Sequence, residues 1–276
     1  VWELLGGNCR HKIRLHLLVG QPSPGAMYKA AKDAVAEGFT AIKFDPLVDG
    51  YQDMTQDQLI KSVCEMVDAT REGGGSGLDL IVELHRKLTP MNSVALAEAL
   101  TKFNLYFIED PIQIDSIISQ AEMAKRINIP IGNGERLTTI WEFRELLETG
   151  GPQYVRPDVA LAGGLTHCKK ISAIAESYHS AVVVHNFSGP LITAASLHLD
   201  TCIPNFITQE YTKDDESDRY AYFTTSYQRQ GGYIPIPEAP GLGVELDERL
   251  LSQTPFESMN TTGVPLREDG SLAYSV

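Results

Sequence analysis

Leu80-Ile-Val-Glu-Leu-His85, Tyr106-Phe-Ile-Glu-Asp110 and Ile129-Pro-Ile-Gly-Asn-Gly-Glu135 share one plan: a short apolar, β-branched run that ends on a carboxylate. Such runs read as strands covered on both faces. Between them lie helix-like patterns, Asn92 to Lys102 and Ile117 to Arg126. Strand and helix in strict alternation favour parallel strands joined by helical crossovers.

The same unit recurs on both sides. Strands are expected over Lys12 to Val19, Thr40 to Phe44, Leu80 to Leu84, Tyr106 to Glu109, Ile129 to Gly132, Tyr154 to Arg156, Ala181 to Val184 and Phe206 to Thr208. The remaining helices are expected over Ala26 to Glu37, Thr55 to Arg71, Thr139 to Glu148, Leu165 to Tyr178 and Leu191 to Leu199. Thr55 followed by Gln58 is a capping-box start, and Gly150-Gly151 is a stop. Gly73-Gly-Gly-Ser-Gly77 precedes a strand and reads as a flexible turn, not a phosphate loop. Eight such units predict an α/β fold of the TIM type, a closed (β/α)8 barrel, with a doubly wound open sheet as the alternative. The barrel is expected over residues 1–230. Residues 231–276, rich in Gly and Pro, are expected to form an extended segment packing on or closing it.

In a barrel the carboxyl ends of the strands meet around one mouth. Those ends carry Lys43 with Asp45, Glu83 with His85, then Glu109, Glu135, Asp158, His185 and Glu210. From Glu83 onward the successive intervals are 26, 26, 23, 27 and 25 residues, the length of one strand, one helix and two loops. Three carboxylates on adjacent strand ends, Glu83, Glu109 and Glu135, would repel one another without a counter-ion. Oxygen-only ligation points to a hard divalent cation, Mg²⁺ in preference to zinc. His185 with Asp158 one strand away reads as an oriented general base. His85 follows Glu83 by two residues, so extended alternation puts both on one side of the chain and His85 across the barrel from His185. Lys43 and Asp45 are candidates for substrate contact, with a Lys43–Asp45 pair as the other reading.

The 276 residues carry 23 Lys+Arg against 36 Asp+Glu, a net charge of -13, with the cations scattered. This gives no footprint for nucleic acid or an anionic membrane, and neither partner is expected. Cys9, Cys64, Cys168 and Cys202 are far apart without a CxxC pair, and no leader or long apolar run is present, so a cytoplasmic location is expected.

The chain resembles the enolase superfamily in its mandelate racemase-like branch, and within it the acid-sugar dehydratases acting on galactonate, gluconate or mannonate. The motifs are Ile81-Val-Glu-Leu-His85, Phe107-Ile-Glu-Asp-Pro111, Ile131-Gly-Asn-Gly-Glu-Arg136, Arg156-Pro-Asp158 with Ala162-Gly-Gly164, Val184-His-Asn186 and Pro240-Gly-Leu-Gly243. The resemblance implies Mg²⁺ held by Glu83, Glu109 and Glu135, and abstraction of the proton α to a carboxylate. It further implies that His185 with Asp158 takes the C2 proton, His85 protonates the departing C3 hydroxyl, and Glu210 hydrogen-bonds the substrate carboxylate. The product would be a 2-keto-3-deoxy acid, and the assembly a homo-oligomer.

Two departures stand out: Asp45 occupies the place of a lysine in racemising relatives, and Glu83 replaces the commoner Asp. Relatives carry an N-terminal α+β capping domain. This chain begins Val1-Trp2-Glu3, almost at the first barrel strand, and is expected to lack it. A racemase or epimerase of a 2-hydroxy acid, and a catalytically silent metal-binding barrel, are the alternative functions.

Overall fold

The computed structural model describes residues 1–112, 116–256, 258 and 266–273. Eight parallel strands form the centre: β1 Lys12–Leu18, β2 Ala41–Phe44, β3 Asp79–Glu83, β4 Phe107–Glu109, β5 Ile131–Asn133, β6 Tyr154–Val155, β7 Ala181–Val182 and β8 Gln209–Tyr211. Seven helices alternate with them: α1 Pro24–Ala36, α2 Gln56–Gly74, α3 Pro90–Leu100, α4 Ile117–Ala124, α5 Ile140–Glu148, α6 Gly164–Ser177 and α7 Pro190–Cys202. The strands run in sequence order from β1 to β7, and β8 pairs with β1. A bridge between Val182 and Phe206 completes the ring.

The expected eighth strand is therefore displaced. Phe206 to Thr208 is apolar enough to read as a strand, but its first residue meets only β7, and the ladder with β1 starts at Gln209. Strand stagger in a tilted barrel separates the two pairings along the chain.

Pleating explains both layers of the barrel. In β3, Leu80 and Val82 face outward into the core shared with Met27, Val63, Leu96 and Phe143. Ile81 faces inward, where it packs with Phe107 and Val183. Burying each large apolar side chain contributes about 1.5–3 kcal/mol, so the outer layer holds the fold and the inner positions near the mouth are left for polar groups.

Local signals operate as their chemistry requires. Thr55 and Gln58 form a reciprocal capping box on α2. That helix continues past Arg71 to Gly74, and a Cβ on Gly73 would lie 2.2 Å from the Tyr28 carbonyl oxygen. The glycine permits close contact with α1 and is not a free turn.

Beyond the barrel, β9 Phe223–Thr225 pairs with β11 Val244–Leu246, and α8 spans Glu248–Gln253. β10 Tyr233–Pro235 runs antiparallel to the start of β1, matching Ile13 with Ile234. β10 thus ties the start of this segment to the end opposite the mouth, whereas further on the Leu266 carbonyl accepts from Gln52 Nε2 at 3.2 Å and Glu268 N–H donates to Asp53 Oδ1 at 3.0 Å, in the loop that follows β2. Residues 257, 259–265 and 274–276 of that expected segment lie outside the described residues. Among the described residues no separate α+β layer precedes β1, and no helix is long and apolar enough to cross a membrane.

Candidate active site

Register brings the first two acids together: Glu83 on β3 lies opposite Glu109 on β4, and Glu109 opposite Gly132 on β5. Glu135 is delivered by the turn after β5. There Gly134 adopts φ +124, and a Cβ on it would lie 2.6 Å from the Phe143 ring, so only glycine fits. Each of Glu83, Glu109 and Glu135 is buried, and each offers an oxygen within 4.8 Å of the others.

Three buried cations hold this cluster. Lys43 Nζ lies 3.1 Å from Glu83, 3.1 Å from Glu109 and 2.7 Å from Glu210. Arg156 reaches Glu109 and Glu210 at 2.5 Å each. Arg86 pairs with Asp110, and with Glu135 at 2.6 Å. Lys43 is thus paired with these three carboxylates, whereas Asp45 pairs with His85 and Lys87. Arg86 and Arg156 were not foreseen as site residues. In the sequence Arg86 sits in a polar run that reads as a solvated loop.

Burial and the charge of Glu83, opposed by Arg156, push Glu109 well above the usual carboxylate range. Burial and the charges of Glu135 and Glu83 push Asp110 up to about 6. Burial works the same way on Glu210, but Lys43 and Arg156 outweigh it and hold Glu210 well below its ordinary value.

The donor set fits a hard cation. Glu109 Oε2 is buried without a hydrogen-bond partner, while its Oε1 is held by Lys43. Glu135 has Oε1 held by Arg86 and Oε2 turned towards His185 Nε2 at 3.4 Å. An orphaned carboxylate oxygen among all-oxygen donors suits Mg²⁺, which tolerates few protein ligands and keeps positions for other oxygens.

Two histidines flank the cluster. His185 Nδ1 is 2.6 Å from Asp158 Oδ2, and Asp158 Oδ1 accepts the backbone N–H of Ala160 and Leu161 at 2.7 and 3.1 Å. Burial disfavours the Asp158 charge, yet these hydrogen bonds win and its pKa is lowered. His85 Nδ1 is 2.8 Å from Asp45 Oδ2, which Lys87 also contacts at 2.6 Å, and Asp45 Oδ1 accepts Leu47 N–H at 2.9 Å. Against burial, the bond to Asp45 and the charge of Glu83 raise the His85 pKa.

Extended alternation does not carry His85 into place, because β3 ends at Glu83 and His85 and Arg86 take φ values of 46 and 60. A turn does so instead, pinned by His85 N–H donating to Glu83 Oε1 at 2.8 Å. A cavity of about 530 Å³ receives Lys43, Asp45, His85, Glu135, Asp158, His185 and Glu210. Arg86, Arg136, Leu161 and Phe187 are also among the residues of its wall. A groove of about 1180 Å³ on the outside, between α2 and residues 99–104, contains none of these groups.

A (β/α)8 barrel with an acidic triad and two carboxylate-backed histidines at its mouth defines the class. The chain belongs to the enolase C-terminal domain-like family, which matches residues 26–250. It is 30% identical over 262 residues to D-gluconate/D-galactonate dehydratase of Picrophilus torridus, covering 94% of this chain and 67% of that protein. It is 32% identical over 283 residues to D-galactonate dehydratase of Ralstonia nicotianae, covering 99% and 73%. An enolase from Agrobacterium radiobacter, solved with Na and L-malate bound, superposes with a TM-score of 0.91 at 25% identity, covering 99% of this chain and 73% of that one.

Proposed function

We propose that this chain is a Mg²⁺-dependent dehydratase that converts a hexonate sugar acid to a 2-keto-3-deoxy acid. The observation that carries the reading is geometric: two histidines, each backed through Nδ1 by a carboxylate, line one cavity beside three convergent glutamates. The names of the relatives support the substrate class.

Glu83, Glu109 and Glu135 would hold the cation, which when bound supplies positive charge toward the substrate carboxylate, where negative charge develops. Asp158 keeps the proton of His185 on Nδ1, leaving Nε2 to accept the C2 proton. His85, kept protonated more readily by Asp45, donates from Nε2 to the C3 hydroxyl, which departs as water. The enol then ketonises. On this reading Asp45 acts through His85 and does not bind substrate. Glu210 acts by holding Lys43 and Arg156. A cytoplasmic homo-oligomer without nucleic-acid or membrane partners belongs to the same proposal, supported by the net charge of -13 and by the family resemblance.

Incubation with a panel of hexonates and Mg²⁺ tests this by the appearance of a 2-keto-3-deoxy acid. No product from any hexonate, with the chain folded and metal-loaded, would reject it. Paired histidines also suit a C2 epimerase, which would incorporate solvent deuterium at C2 without losing water.

A further inference from the structure

Lys43 does not have the surroundings of a substrate-binding lysine. It is 2% exposed, and an ammonium has three donors. Its Nζ donates to Glu83 and Glu109 at 3.1 Å each and lies 2.7 Å from Glu210 in an ion pair. Two of those carboxylates belong to the triad, and the third does not.

The charges around it can be counted. Glu83, Glu109, Glu135, Glu210 and Asp110 are in ion contact with the buried Lys43, Arg156 and Arg86, and Glu135 also with the half-exposed Arg136 at 3.8 Å. The carboxylates outnumber the three buried cations, the fourth cation, Arg136, is largely in solvent, and every other member is at most 8% exposed. Residual charge in so dry a place is costly. A divalent cation would supply the missing positive charge.

We propose that Lys43 is the internal counter-ion of this cluster, leaving it short of positive charge and thereby setting the strength with which the triad holds a single divalent cation. The inference rests on the triad reading given under Proposed function. Removing the lysine charge deepens the negative well, and removing the Glu210 charge makes it shallower. The two changes should therefore move affinity in opposite directions, which loss of packing alone would not do.

Mg²⁺ titration calorimetry on the full chain provides the test. Lys43→Met should bind Mg²⁺ at least tenfold more tightly than the unaltered chain, Glu210→Gln at least tenfold more weakly, and Lys43→Arg within about threefold of it. Unchanged or weakened binding by Lys43→Met, or a shift of both charge variants in the same direction, would overturn the proposal. If Lys43→Met folds only with Mg²⁺ present, that dependence supports the counter-ion role. Failure to fold at any Mg²⁺ concentration counts against it. No Mg²⁺ binding by the unaltered chain would remove the triad reading and this role together, whereas binding with unaltered affinities would remove only the role of Lys43.

Discussion

Replacing Asp158 by asparagine should stop proton abstraction at C2 while leaving the barrel nearly intact. The retained Oδ1 can still accept the Ala160 and Leu161 N–H groups, which lie at 2.7 and 3.1 Å. The new amide nitrogen would face His185 Nδ1, now 2.6 Å from a carboxylate oxygen. It can only donate there, so Nδ1 must become the acceptor and the imidazole proton must move to Nε2. Since Nε2 is the atom assigned to accept the C2 proton, the base is lost. Analogous tautomer reversal in a histidine–carboxylate dyad costs about four orders of magnitude in rate. One charge-assisted hydrogen bond is exchanged for a neutral one, so the stability cost should be about 1 kcal/mol. The assay is NMR detection of deuterium exchange at C2 of an accepted hexonate in D₂O, with urea unfolding run alongside. Exchange within tenfold of the unaltered chain, in a protein that still binds Mg²⁺, would refute the assignment of His185 as base.

Further expectations follow from the same geometry. Asp45→Asn should slow release of 2-keto-3-deoxy product about 10²-fold or more while sparing C2 exchange, because it disturbs His85 and not His185. Parallel assays of product and exchange would show equal losses if Asp45 served both steps. His16 is fully buried with neither ring nitrogen paired; burial first, and then the charges of Arg156 and Lys43, hold its pKa well below 6.5. The unfolded chain therefore takes up a proton at His16 that the folded chain refuses. Its contribution to stability is full above about pH 6.5 and lost below it at up to about 1.4 kcal/mol per pH unit. Urea midpoints from pH 7.5 to 5.5 should fall less steeply for His16→Leu, and parallel slopes would contradict this. Gly134→Ala should cost at least about 1 kcal/mol and weaken Mg²⁺ binding, because φ +124 and the Phe143 ring both reject a Cβ. Unaltered melting and affinity would show that the turn is less constrained.

The acids at the mouth were legible because each ends a β-branched run at a barrel interval, and pleating leaves such a residue only one inward direction. Glu83 and Glu109 meet for that reason, and Glu135 joins them from the turn after β5. The buried cations were hidden because a charged side chain in sequence looks the same in water as in a core. Arg86 lies just past the expected strand, in the polar His85-Arg-Lys87, and only the turn at His85 and Arg86 brings its guanidinium to Asp110 and Glu135. Lys43 was recognised as a mouth residue, but its partners depend on strand register across β2, β3 and β4, which apolar patterning alone does not specify. The displaced eighth strand has the same cause: the apolar run beginning at Phe206 marks where the chain enters the barrel, and stagger decides where its ladder with β1 begins.

Convergence of three glutamates on one ion is tested most directly by crystals grown with Mn²⁺ as an anomalous scatterer. A single strong peak bonded to one oxygen each of Glu83, Glu109 and Glu135, lost in Glu109→Gln, is the predicted result. A peak elsewhere, or none at this mouth with Mn²⁺ in excess, would contradict it.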